Sequence, residues 1–371
     1  MSSIPEEMYH EILFRLPVES LLVCKSVCKS WYALISSSDF VNTHITMQKN
    51  NPILMLEGSS RSSSNHSLYS IGYDSLASPF CEINDDTIEI DYPFKHLDYD
   101  VRLLGTCNGL VCMWLYDYEG RRDFLCLWNP ATTEYKEIPK SPDVFDRCEV
   151  CLFAFGYDCK TGDYKLAMGI EAYGTKDSSL VQVYTLTTNS WKNGQIVPYK
   201  FPYMQKSGVL VNEYLHWLAK AQGNIILLSL DMGDESFKEM QLPMDKNKHP
   251  HMILGELEGC LCILVSSYAN GVKLHVEVWK MLDYGVGESW ARYYIISHES
   301  IIANQLFLRL MGSFKNGEIL FLSCGMLVSY DPKYGSAREE EIDNVPFLEA
   351  ENYIESLVSL NSGTHVWEDD I

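Results

Sequence analysis

The sequence has 371 residues, of which 46% are hydrophobic and 21% are charged. This composition is typical of a globular protein and excludes collagenous and intrinsically disordered chains, and no apolar run is long enough for a membrane span. The net charge of -21 disfavours nucleic acids and anionic membranes as partners, because both would be repelled. A basic partner would be attracted, although the same charge also serves simply to keep a large protein soluble.

The N-terminal residues predict the cellular compartment. Acidic Glu6 and Glu7 stand where a secretory signal would carry basic residues, and no apolar stretch follows them. We therefore expect a cytoplasmic or nuclear protein. In that reducing environment the 12 cysteines should be thiols, and we expect no disulfide framework.

Residues 1–47 predict three or four short helices. Ser3 and Glu6 form a capping-box pattern, and Pro17 ends the first helix. A second helical turn starts around Val18, and a third helix is predicted from Ser26 to Ile35. A unit of this size cannot bury all its apolar faces internally. Some apolar surface must therefore face another body, either the rest of the chain or a separate protein.

Three strings in this helical unit resemble a known motif. They read Ile-Pro-Glu-Glu at 4–7, Glu-Ile-Leu-Phe-Arg-Leu-Pro-Val-Glu-Ser-Leu-Leu at 11–22 and Lys-Ser-Val-Cys-Lys-Ser-Trp at 25–31. Together they resemble the F-box, most closely the plant type. The resemblance implies a docking module for the Skp adaptor of a cullin-RING ubiquitin ligase.

The resemblance also implies which residues face the adaptor or hold the helices against it. The matching positions are Ile4, Pro5, Ile12, Leu13, Leu16, Pro17, Leu21, Leu22, Lys25 and Trp31. Core packing is the alternative for every one of them, and for Leu13 it is an equally good explanation. Adaptor contact is favoured for Pro17, Leu21 and Leu22, because they lie on a short connecting segment.

From residue 51 onward the sequence alternates short apolar runs with turn signals, a pattern typical of a sandwich, a barrel or a propeller. One strand type recurs, and it ends in a large apolar anchor followed by a turn. The anchors are Tyr73, Trp128, Tyr184, Leu230, Trp279 and Tyr330. Their spacings lie between 46 and 56 residues, close to the kelch repeat of about 50. This period predicts an all-β, six-bladed propeller over residues 48–371, following an all-α unit over residues 1–47.

Other strands fit the same repeat. A strand follows a tight turn in Cys107-Asn108-Gly109-Leu110, and an outer strand is predicted where Glu137-Ile138-Pro139 closes a run, because proline is tolerated at a sheet edge. The first blade lacks an inner strand of this kind. The C-terminal run Tyr353 to Leu360 has no other place, so we expect it to complete the first blade and close the ring.

Four patches in the repeat region resemble a second known domain. They read Cys-Asn-Gly-Leu-Val-Cys at 107–112, Leu-Trp-Asn-Pro-Ala-Thr at 127–132, Asn-Ser-Trp-Lys at 189–192 and Asn-Glu-Tyr-Leu-His-Trp at 212–217. They are similar to the kelch-like F-box-associated interaction domain of plant F-box proteins, a family that includes the S-locus pollen proteins. The resemblance implies a substrate-binding domain.

Signals for catalysis are weak. Cys148 and Cys151 form the only Cys-x-x-Cys, and no second pair completes a zinc site. His249 and His251 lie in a polar stretch, and the acidic pair at 85–86 and the acidic run at 339–341 are typical of exposed turns and edges. We therefore expect no catalytic residues, no cofactor and no metal.

Three hypotheses follow. The favoured one is a non-catalytic substrate receptor of a Skp-cullin-F-box E3 ubiquitin ligase, which binds the Skp adaptor, and cullin through it, and holds a client protein for ubiquitination. The alternatives are a propeller enzyme and a scaffold that binds the adaptor without delivering a client. A basic client is expected from the acidic charge, in line with the basic ribonucleases recognised by S-locus relatives. Candidate client loops are Tyr116 to Arg122, Gly169 to Ser179 and Tyr284 to Glu288.

Overall fold

The structure is a computed structural model, and it describes most of the chain. The described residues are 6–49, 51–59, 66–77, 87–97, 99–117, 122–143, 150–172, 177–201, 207–243, 251–269, 272–302, 308–323, 325–340 and 347–361. No helix in these ranges is both long enough and apolar enough to cross a membrane.

Residues 6–49 form a helical unit, as predicted. Its helices are α1 (Glu6–Phe14), α2 (Val18–Lys25), α3 (Lys29–Ile35) and α4 (Ser38–Gln48). Pro17 separates α1 from α2 with extended backbone angles, and the Ser37 hydroxyl caps α4 by accepting the Phe40 N–H at 3.3 Å. The third helix begins at Lys29 rather than at the expected Ser26, because Cys28 is extended and caps it.

The remaining strands form six antiparallel sheets of four or five strands, each sheet being one blade of a propeller. From the central channel outward, the first blade contains β25 (Phe347–Tyr353), β1 (Ile53–Ser59), β2 (His66–Gly72) and β3 (Ile88–Ile90). The second contains β4 (Tyr99–Cys107), β5 (Leu110–Asp117), β6 (Asp123–Trp128) and β7 (Tyr135–Ile138). The third contains β8 (Val150–Asp158), β9 (Asp163–Glu171), β10 (Ser179–Thr185), β11 (Ser190–Trp191) and β12 (Gln195–Val197).

The other three blades have four strands each. The fourth contains β13 (Val209–Val211), β14 (Tyr214–Ala221), β15 (Asn224–Asp231) and β16 (Ser236–Met240). The fifth contains β17 (Met252–Leu257), β18 (Cys260–Ala269), β19 (Val272–Met281) and β20 (Trp290–Ile296). The sixth contains β21 (Leu308–Ser313), β22 (Ile319–Ser323), β23 (Met326–Asp331) and β24 (Ser336–Glu340). Two short helices, α5 (Tyr73–Ala77) and α6 (Glu299–Ile302), lie in the connections.

The predicted six-bladed propeller is confirmed, and the anchor residues explain why the period was visible. Five anchors, Trp128, Tyr184, Leu230, Trp279 and Tyr330, lie in the third strand of their blades. The sixth, Tyr73, is the first residue after β2, which is the third strand of the first blade. Each repeat therefore delivers the same strand to the same place.

Alternation along the strands builds the core of the ring. Successive side chains point to opposite faces of a blade, so Val111 and Met113 pack towards the first blade while Cys112 and Trp114 pack towards the third. Buried apolar clusters of this kind fill all six interfaces between neighbouring blades. The sixth and first blades are joined in the same way, which makes the ring continuous.

The ring is closed by a C-terminal strand, as expected, but the strand differs from the one predicted. β25 covers Phe347–Tyr353 and pairs antiparallel with β1, with Ile53 opposite Tyr353 and Leu56 opposite Ala350. The predicted strand from Tyr353 to Leu360 is wrong, because residues 354–361 contain no strand. The true strand looks polar in the sequence because it contains Glu349 and Glu351. Both carboxylates form ion pairs with Arg309 on the innermost strand of the sixth blade.

Strand order also defines the two faces of the ring. In an antiparallel blade, the turns from first to second strand and from third to fourth strand lie on one face, which we call the proximal face. It includes the turns at 108–109, 129–134 and 232–235. Turns from second to third strand and connections between blades lie on the opposite, distal face.

Candidate functional site

The helical unit exposes an unusual amount of apolar surface. Among the described residues, six of the seventeen exposed large apolar side chains lie within residues 6–49. We call them the exposed apolar set; they are Met8, Ile12, Val23, Val27, Tyr32 and Met47, with exposures of 44% to 66%. Concentrated apolar exposure of this kind is typical of a protein interaction site.

The predicted adaptor residues divide into surface and core positions. Ile12 is 53% exposed and Pro17 is also exposed, so both are available to a partner. Leu16, Leu22 and Trp31 are half-buried against the core of the helical unit. Ile4 and Pro5 lie outside the described residues.

Two of the predicted contacts are core residues. Leu13 is 1% exposed and Leu21 is fully buried, and both pack with Val18, Ile35 and Phe40. The expectation that Leu21 contacts the adaptor is therefore corrected, because its side chain faces the interior of the helical unit. It supports the shape of the surface without forming part of it.

Several exposed apolar residues were absent from the predicted site. Met8, Val23, Val27 and Tyr32 were not assigned to it. Met8 and Ile12 are one turn apart and share a face of α1. The available signal for Val23, Val27 and Tyr32 was their residue type. A helical unit of fewer than about 50 residues has too little interior for all its apolar side chains, so some valine and tyrosine residues must lie at its surface.

Lys25 faces the propeller side of the helical unit. Burial lowers the pKa of its ammonium group, and the opposing influence comes from the carboxylate of Glu134, in the turn between β6 and β7. Adaptor contact by Lys25 stays a prediction, and this side chain is half-buried near the second blade.

The helical unit is seated on the proximal face at the second and third blades. Ile45 of α4 is buried in the apolar cluster between these blades, and Val41 packs against the same cluster. Residues 354–361, which we call the C-terminal segment, run along the same junction. Leu357 from this segment is buried in the core of the helical unit.

The candidate client loops lie on different faces. The loop after Tyr116 and the loop after Glu171 join second to third strands and lie on the distal face, although residues 118–121 and 173–176 are outside the described residues. The third loop lies on the proximal face, and its Tyr284 hydroxyl sits 2.9 Å from Nε2 of His216 in the fourth blade. Tyr284 therefore serves packing between blades.

Two buried groups with possible catalytic chemistry, Cys107 and Lys165, lie in structural environments. Within the described ranges, no cluster of three or more His, Cys, Asp or Glu side chains could hold a metal ion. Burial raises the pKa of the Cys107 thiol to about 12, so it is not a nucleophile near neutral pH. The buried Lys165 ammonium is held by Asp158 and Glu235, each at 3.0 Å, and joins the third blade to the fourth. Cys148 and His249 of the weak metal patterns lie outside the described residues.

Comparison with known families identifies both parts of the chain. A family model described as the F-box domain matches residues 1–43, and a model described as the F-box associated beta propeller domain matches residues 59–323. The chain belongs to the F-box-associated propeller family. Both resemblances noted in the sequence are thus confirmed, and residues 6–49 are the described part of an F-box unit.

Three curated relatives of this F-box protein, all from Arabidopsis thaliana, illustrate the similarity. F-box protein At3g07870 is 27% identical over an alignment of 412 positions including gaps, which covers 100% of this chain and 93% of the relative. F-box/kelch-repeat protein At3g23880 is 33% identical, and the aligned region covers 78% of this chain and 78% of the relative. F-box protein CPR1 is 26% identical over 83% of this chain and 76% of its own length.

Proposed function

We propose that this F-box protein is the substrate-recognition subunit of a Skp-cullin-F-box E3 ubiquitin ligase and performs no chemistry itself. The observation that carries the proposal is the exposed apolar set on the F-box unit. A unit recognised as an F-box presents apolar side chains to solvent on the side of α1 and near the end of α2, where a monomer has no use for them.

The two parts of the molecule suit this role. The F-box unit would bind the Skp adaptor through Pro17 and the exposed apolar set, which includes Ile12. The propeller would bind the client and hold its lysines near the ubiquitin-charged enzyme. Such a receptor raises the effective concentration of the client at the ligase and needs no catalytic group.

The distal face of the propeller is the proposed client surface. It lies opposite the seat of the F-box unit, so a client bound there would not compete with the adaptor. Loops carry binding residues more often than the strands that support them, and two of the three candidate loops lie on this face. The net charge of -21 supports a basic client, whose binding should weaken as salt concentration rises.

Adaptor binding is the first experiment. We would co-express the full chain with a plant Skp adaptor and measure complex formation by size-exclusion chromatography. Val27→Asp is the test variant, because Val27 is 62% exposed on the F-box unit. Val272→Asp is the matched control, since Val272 is 63% exposed on the fifth blade.

The expected result is a 1:1 complex for the wild type and for Val272→Asp, with loss of the complex for Val27→Asp. Circular dichroism should show the same folded propeller in all three proteins. Failure of the wild type to bind any plant Skp adaptor would overturn the proposal. Equal binding by Val27→Asp would remove Val27 from the docking surface and shift the test to Ile12→Asp.

A further inference from the structure

The C-terminal segment lies between the F-box unit and the propeller and contacts both. Ser356, Leu357, Val358 and Leu360 are all buried, with exposures between 0% and 9%. A segment that follows the last strand of the ring and is buried to this degree must be packed against other parts of the molecule. The four buried residues are therefore part of the packed interior between the two units.

Successive side chains of the segment point in opposite directions, as expected for extended chain. Val358 and Leu360 join the apolar cluster between the second and third blades. Leu357, between them, joins the core of the F-box unit beside Leu13 and Leu21. The segment therefore contributes alternate residues to two cores.

Glu355 continues the same alternation on the F-box side. Burial raises the pKa of its carboxyl group, and the nearby Glu19 carboxylate of α2 acts in the same direction, while His44 of α4 opposes it. Residues 355 and 357 thus both face the F-box unit.

The propeller side of the segment is fixed by specific hydrogen bonds. The Asn129 side-chain amide donates to the carbonyl oxygens of Ser356 at 3.1 Å and Val358 at 2.7 Å. The Glu134 carboxylate accepts from the Ser359 hydroxyl at 2.9 Å and from the Leu360 N–H at 2.6 Å. Asn129 and Glu134 both belong to the turn between β6 and β7 of the second blade, so the segment is held in one position.

The direct chain connection between the two units is short. Four residues, 49–52, separate α4 from β1. α4 reaches into the propeller core through Ile45 and Val41, and Ala131 of the second blade packs against the F-box core. A short connection alone would leave the two units free to pivot. A second contact, made by a different part of the chain, removes that freedom because it adds a separate point of attachment.

We propose that the C-terminal segment fixes the orientation of the propeller relative to the F-box unit, with Leu357 as the key positioning residue. The consequence for ubiquitin transfer rests on the proposed function. In a proximity mechanism the distance between the client and the charged enzyme decides which lysines are modified. A rigid junction therefore selects a narrow set of lysines, and a loose junction selects a wider one.

Leu357→Ala is the test variant and Leu357→Met is its conservative control, since Met preserves most of the volume. Both substitutions lie outside β25, so ring closure is retained. Small-angle scattering of the free full chain measures how rigidly the two units are joined, in the absence of any adaptor. Mass spectrometry of self-ubiquitinated receptor in the assembled ligase reports the set of modified lysines.

For Leu357→Ala we expect a larger maximum dimension in scattering and a wider set of modified lysines, with wild-type values for Leu357→Met. Adaptor binding should be retained by both. Unchanged scattering and an unchanged lysine set for Leu357→Ala would overturn the inference. Loss of adaptor binding by Leu357→Ala would overturn it too, because Leu357 would then act in the fold of the F-box unit.

The two proposals fail in distinguishable ways. If the wild type binds no Skp adaptor, the proposed function is lost, while scattering of the free chain still decides whether Leu357 holds the junction. If the adaptor binds and both the scattering and the lysine set of Leu357→Ala equal those of the wild type, the function stands and the junction proposal is wrong.

Discussion

The side-chain amide of Asn129 donates two hydrogen bonds to the C-terminal segment, and the shorter one reaches the Val358 carbonyl at 2.7 Å. These two residues are 229 positions apart in sequence. Asn129 directly follows the anchor Trp128, and its own carbonyl oxygen Oδ1 accepts the Ala131 N–H at 3.0 Å. One fully buried side chain thus shapes the turn after β6 and holds the end of the chain against it.

Replacing Asn129 by alanine should destabilise the protein markedly. The substitution leaves the carbonyl groups of Ser356 and Val358 without their donors in a buried site, at a cost of about 1–3 kcal/mol for each unsatisfied group. Urea unfolding of the variant and the wild type measures the difference. Asn316→Ala is the control, because the Asn316 side chain also caps a turn but is exposed, and it should cost about 1 kcal/mol or less. Equal losses for both variants would contradict the role given to Asn129.

The sequence predicted the repeat well because every blade places the same residue type in the same strand. It missed the closing strand for an electrostatic reason: Glu349 and Glu351 face Arg309 across the closure, and that ion pairing is visible only in three dimensions. It assigned residues 353–360 to a strand because a run buried on both sides has the same apolar pattern in a strand and in an irregular segment.

Exposure and burial within the F-box unit were predicted in part, for a related reason. The motif identified which positions resemble the family, and Ile12 and Pro17 are indeed at the surface. A motif does not state which side of a helix a residue occupies. Leu21 therefore appeared to be a contact although it is buried, and Val23 was missed although it is 66% exposed.

Two C-terminal deletions should separate ring closure from the F-box junction. Deleting residues 347–371 removes β25, exposes the edge of β1 and takes Ala350 out of the cluster between the first and sixth blades. We expect this deletion to abolish the cooperative thermal transition of the propeller, as measured by circular dichroism. Deleting residues 354–371 keeps β25 and should preserve a cooperative transition, at a lower melting temperature because Val358 and Leu360 leave the cluster between the second and third blades. Two equally cooperative proteins with equal melting temperatures would show that β25 does not close the ring.

His216 should make the propeller acid-sensitive. Its ring is fully buried between the Val209 carbonyl, 3.0 Å from Nδ1, and the Tyr284 hydroxyl, and burial lowers the pKa of His216 to about 4. Because the folded pKa lies below the ordinary value of about 6.5, the unfolded chain binds a proton first as pH falls. This group therefore costs no stability above about pH 6.5, and stability falls by up to about 3 kcal/mol between pH 6.5 and pH 4.

The measurement for His216 is the free energy of urea unfolding at pH 7 and at pH 5. His216→Gln should be less stable at pH 7, because it alters a packed hydrogen-bonded site, yet its stability should fall less between the two pH values. His275→Gln is the control, since His275 is only half-buried. A pH dependence in His216→Gln as steep as that of the wild type would assign the acid sensitivity to other groups.

A pair of glycines tests how closely the C-terminal segment approaches the second blade. Gly109 and Gly317 occupy equivalent turns with φ of 82° and 90°, so alanine strains both backbones by about 1–2 kcal/mol. A Cβ at Gly317 would meet nothing within 4 Å, whereas one at Gly109 would overlap the Ser356 side chain and lie 2.8 Å from the Ile354 carbonyl oxygen. Gly109→Ala should therefore cost about 1–3 kcal/mol more than Gly317→Ala in urea unfolding. It should also raise hydrogen exchange at residues 354–361, and equal costs with unchanged exchange would mean that the segment does not press against this turn.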